Sequence, residues 1–72
     1  MSNADLEQVT GYDLVFARRD AGLTMQDLAS LIGVGLMTIS RYESTGDQPI
    51  VGSGRHRTTT LAVARWVLEQ QL

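Results

Sequence analysis

Between Leu23 and Glu43 the apolar positions recur with helical period in two runs separated by a glycine. Met25, Leu28, Ala29 and Ile32 fall at i, i+3, i+4 and i+7, the spacing of one buried face, which leaves Gln26, Asp27 and Ser30 outward. Thr24 stands ahead of them as an N-cap. Beyond Gly33, the residues Val34, Thr38, Ile39 and Tyr42 share a second inward face, so Leu36, Met37, Ser40, Arg41 and Ser44 share the opposite one. Two further helices are expected around this pair. The first starts at Thr10, with Asp13 three residues on, and runs to about Ala21. Leu14, Ala17 and Ala21 face inward and Gly22 is its left-handed end. The last covers 59–71, beginning among the hydroxyls of Thr58 to Thr60.

That last helix carries two apolar stripes, Leu61, Ala64, Leu68 and Leu72 on one and Val63, Trp66 and Val67 on the other. One stripe is expected to close the core. The Val63, Trp66 and Val67 stripe is then the candidate dimer surface, with plain core filling as the competing reading of Trp66. Residues 45–57 shift to Gly, Ser, Asp and Pro, the composition of a loop, and residues 1–9 read as a flexible tail with no role in the fold. The expectation is therefore an all-α bundle of four to five helices over residues 10–72, with a helix-turn-helix at 24–43.

Ala29, Gly33 and Ile39 are what two helices need to cross closely and steeply: a small residue, a turn and a β-branched plug. Such a pair props its second helix out at an angle that fits a DNA major groove. Gly33 is the turn, and Leu36, Met37, Ser40, Arg41 and Ser44 are the candidate base-reading surface.

Charge qualifies this reading. The formal net charge is -2, whereas affinity for a polyanion comes largely from Lys and Arg displacing counterions. The distribution is uneven, however. All six basic residues are arginines lying within 18–65, against four acids there, and both ends are acidic. Arg41 on the outward face has the fork for guanine O6 and N7. Arg55 and Arg57 make 52–57 a basic loop suited to phosphates or a minor groove, or else a plain connector.

Seventy-two residues make one domain in which roughly 60% of the unfolded surface can be buried, so dimerisation would help stability. The absence of cysteine excludes disulfides and zinc fingers and fits a reducing cytoplasm. No apolar run approaches the ~20 residues of a membrane span, and no signal-peptide pattern stands at the start. A cytoplasmic location is expected. Paired carboxylates, a nucleophile with its base, metal ligands and a phosphate-binding Lys-Ser/Thr loop are not found at meaningful spacing, so no enzyme, cofactor, metal or small-molecule ligand is expected.

Leu23 to Glu43, with Arg18 ahead and Pro49 behind, resembles the Cro/repressor (Xre-like) helix-turn-helix family, lambda-repressor-like in fold. The resemblance implies a homodimeric, phage-like transcriptional regulator reading a pseudo-palindromic operator in double-stranded DNA. It also implies a salt bridge between Arg18 and Glu43 tying the first helix to the recognition helix, with Arg18 near phosphate, where Gln26, Arg55 and Arg57 are further candidates. Removing one partner of a desolvated pair costs about 3 to 5 kcal/mol. The chain departs from the pattern at Met25, where the family commonly has glutamine, and at Gly35, where Ser or Thr usually caps the recognition helix. It departs again at Leu36 and Met37, where polar residues are usual, and at 50–57, which intervene before the next helix. The alternatives are a helix-turn-helix docking onto protein, as an antirepressor or antitoxin would, and a restriction-modification controller.

Overall fold

The computed structural model describes residues 6–50 and 56–71. Among them are four helices, α1 (Gly11–Asp20), α2 (Met25–Ile32), α3 (Leu36–Glu43) and α4 (Arg57–Gln70), and no strand beyond an isolated bridge between Thr10 and Pro49. The long α4 packs on α1 and α2, and α3 packs on α2 and α1. The core between them holds Leu14, Ala17, Leu28, Ala29, Ile39, Tyr42, Val63, Ala64 and Val67.

The starts of α1 and α2 are built alike. Thr10 accepts from the backbone N–H of Asp13 while Asp13 accepts from that of Thr10, at 3.1 and 3.0 Å. Thr24 and Asp27 do the same at 3.0 Å in both directions. Each box satisfies two backbone donors that a helix start leaves free. An apolar residue precedes each cap and another stands at the fourth helical position: Val9 with Leu14, Leu23 with Leu28. All four belong to the core cluster or pack on it, so the two capping motifs share the arrangement of a hydrophobic staple.

Val9 therefore corrects the expectation for the 6–9 part of the 1–9 tail, since Leu6 and Val9 are both buried in the core, while residues 1–5 lie outside the described residues. The backbone N–H of Ile50 donates to the Val9 carbonyl at 2.8 Å, and those of Gly11 and Tyr12 donate to the carbonyls of Gln48 and Gly46. The segment after α3 thus binds the entry to α1 on both sides of its cap. The physical reason is that neither segment covers its apolar residues alone, and together they bury Leu6, Val9 and Ile50.

Three smaller corrections follow from packing. Ala21 is not part of the inner stripe but the exposed C-cap of α1, and the chain reverses at Gly22. α4 begins at Arg57, not at 58–60, and no side chain caps it. Instead Thr60 Oγ1 donates back to the His56 carbonyl at 2.9 Å, so its lone pairs receive the Tyr42 hydroxyl at 3.0 Å. Nor is the Val63, Trp66 and Val67 stripe left for a partner: Val63 and Val67 are fully buried with Ala64, and Trp66, Leu61 and Leu68 flank them. Four helices in a chain this short need both sides of that stripe boundary for one core.

Leu6→Ala should lower stability by about 2 to 4 kcal/mol in urea unfolding, the cost of a core truncation; a change within about 0.5 kcal/mol would mean that residues 6–9 lie outside the folding unit. Asp27 is held below the ordinary aspartate value of 3.8 by hydrogen bonds from the Thr24 backbone and then its side chain. Its contribution is full above that value and is lost as the pH falls through the lower folded value. Asp27→Asn should accordingly flatten the decline of the urea midpoint on acidification, relative to the native chain.

Candidate nucleic-acid interface

The outward aim of α3 is decided at its two ends. At the start, Gly33 takes φ 85° and closes α2, its N–H donating to the Ala29 carbonyl at 2.9 Å; that carbonyl also accepts from Val34. A residue with a Cβ is strained in this left-handed conformation. The chain turns within three residues, and Ile39 is fully buried with Leu28 and Ala29.

At the other end α3 presses on α1. A Cβ on Gly11 would lie 2.7 Å from the Tyr42 carbonyl oxygen and 2.8 Å from that of Glu43, so only glycine fits. Arg18 then grips the same turn from two helical turns further along α1. Its Nε donates to Glu43 Oε2 at 2.6 Å and its Nη2 to Oε1 at 3.0 Å, a bidentate pair, while Nη1 donates to the Leu23 carbonyl at 2.9 Å. The two side chains are only 13% and 9% exposed. The hydrogen bond to Glu43 raises the Arg18 pKa further above its ordinary value, so it is charged at every working pH. With three donor groups engaged and little surface showing, Arg18 is a positioning residue before it is a phosphate contact.

Held this way, α3 presents Leu36, Met37, Ser40, Arg41 and Ser44 to solvent, while Ile39 and Tyr42 are buried and Thr38 half-buried. At about 100° per residue, the five exposed positions occupy one arc of about 140°. Met37 is 78% exposed and Leu36 42%. The arc is not uniformly available for hydrogen bonding. Ser44 is the C-cap residue and its hydroxyl donates to the Arg41 carbonyl at 2.7 Å, leaving it only acceptor capacity. Gly35, the N-cap, offers no side chain at all. Ser40 and Arg41 are the two polar side chains of the arc with donors uncommitted to the protein in any hydrogen bond among the described residues.

The remaining candidates lie elsewhere. Gln26 is exposed on α2, its amide 3.5 Å from the Ser30 hydroxyl. Arg57, at the start of α4, pairs with Glu7 at 2.9 Å, but with both side chains about half exposed (53% and 50%) the pair is weak and the guanidinium accessible. Arg55 lies outside the described residues. Leu31, Phe16 and Tyr12 are exposed apolar residues that the helical pattern left unassigned. Tyr12 leans on the turn at Gly46, about 3.6 Å from where a Cβ there would sit.

Residues 16–49, just under half of the chain, match the family model described as Helix-turn-helix. Neither a curated protein nor a solved structure matches the chain.

Arg18→Met should destabilise by about 2 to 3 kcal/mol, the worth of charged hydrogen bonds at a mostly covered site. Glu43→Gln should cost less, because an amide still accepts one of them. Urea unfolding of the two variants checks the order, and equal small losses would reduce the pair to a surface contact.

Proposed function

We infer that this chain, whose residues 16–49 match a helix-turn-helix family model, is a transcriptional regulator of the Cro/repressor (Xre-like) kind that binds double-stranded DNA with α3 in the major groove. The observation that carries the reading is the five-residue arc, held clear of the core by Gly33 at one end and the Arg18–Glu43 pair at the other. Ser40 and Arg41 read base edges, Arg41 forking to a guanine. Arg57 and Arg55 meet phosphate, with Gln26 beside the groove. One eight-residue helix with a single arginine makes too few base contacts for specific affinity, and this supports a homodimer whose two reading helices stand about 34 Å apart on a pseudo-palindromic site.

A second reading is favoured by a specific observation: Leu31, Leu36 and Met37 are all exposed on the helix-turn-helix of a chain with net charge -2. A protein partner, as for an antirepressor or antitoxin, would cover such residues.

Salt separates the two. Affinity for random duplex DNA, followed by fluorescence anisotropy, should fall tenfold or more between 50 and 200 mM salt if phosphates are contacted; absent or salt-indifferent binding favours the protein partner. On a selected site, Arg41→Ala should relax the preference at one base pair, whereas Arg55→Ala should weaken all sequences and reduce the salt slope by about one. Equal losses on every sequence for both variants would refute this division of roles.

A further inference from the structure

We propose that the leading turn of α3 recognises the C5-methyl group of thymine, so that the base at that end of the site is selected by an apolar contact and not by a hydrogen-bonded edge. The proposal rests on the DNA-binding reading and narrows it.

The leading turn has nothing else with which to read a base. Gly35 has no side chain, Leu36 and Met37 are apolar, and Thr38 is turned toward the protein, half-buried. The first outward side chain with a hydrogen-bonding group is Ser40, a full turn after Leu36 and about 6 Å further along the axis. Yet Leu36 and Met37 lie on the same arc as Ser40 and Arg41, so whatever meets the polar half meets them too. On a duplex, the major-groove edge of thymine carries an O4 acceptor and a methyl, the apolar feature that the other three natural bases lack. Met37, at 78% exposure and with an unbranched thioether, has both the free surface and the conformational range to pack on it; Leu36, at 42%, has the adjoining surface. A contact that removes one methyl from water is worth about three- to fourfold in affinity, the weight of a buried methylene.

Replacing thymidine by deoxyuridine deletes that methyl and leaves every hydrogen-bonding group in place. Duplexes selected from a random pool by the full chain are remade with this exchange one position at a time, and affinity is measured for the native chain and for Met37→Ala and Leu36→Ala made singly. The expected result is a three- to fourfold loss at one or two positions of each half-site, abolished at a given position by one of the variants. Met37→Ala should keep the native melting temperature, since Met37 contributes almost nothing to the core. Tolerance of deoxyuridine at every position, with binding still falling steeply with salt, overturns the methyl contact and leaves DNA binding standing. A loss that persists unchanged in both variants places the methyl effect in duplex shape and overturns the assignment to α3. Absence of salt-dependent binding to any duplex overturns both readings.

Discussion

Glu43 is held twice by α1. Its backbone carbonyl lies so near Gly11 that no side chain fits between them, and its carboxylate is clasped by the Nε and Nη2 edge of the Arg18 guanidinium, whose Nη1 also reaches the Leu23 carbonyl at the entrance to α2. One planar group therefore links α1, the α1–α2 turn and the end of α3. An ion pair of this kind adds little net stability over a well-packed apolar contact. Its donors are fixed in direction, however, and an apolar contact tolerates small rotations that this pair does not. The rotation of α3 about its own axis decides which five residues face outward, and Arg18 constrains that rotation from outside the core.

The surface so presented is graded. Its first turn is apolar and uncapped, its second carries Ser40 and Arg41, and its last residue has turned its hydroxyl back onto the helix. Charge is sparse: Arg18 is committed to Glu43 and Arg57 shares Glu7. On the DNA-binding reading proposed above, such a surface would rely on fit in the groove and on a second copy more than on a basic field, in keeping with a net charge of -2.

The domain also depends on its entry segment. Leu6 and Val9 bring the chain under α1 and pair it with the segment after α3, so that Ile50 is buried. Because that segment leaves α3 directly, the start of the domain and the end of α3 are parts of one hydrogen-bonded unit. The Tyr42 to Thr60 hydrogen bond ties α4 to the same turn.

Much of this was legible in the residues. Periodicity alone separates Ile39 and Tyr42 from Met37, Ser40 and Arg41, because a helix of 3.6 residues per turn allows one assignment of faces once a single apolar side is required. Capping chemistry located Thr10 and Thr24 for the same local reason. The staple before each cap, Val9 with Leu14 and Leu23 with Leu28, was equally present in the sequence and carried the signal that Val9 belongs to the fold. What the linear pattern left open was the choice between two apolar stripes on α4. Spacing reports that a face is apolar, not what covers it, and only the placement of α1 and α2 decides that Val63, Ala64 and Val67 go inward together. Gly11 belongs with them: its necessity arises from carbonyls more than thirty positions away, and a local pattern holds no information about an approach that tertiary packing alone creates.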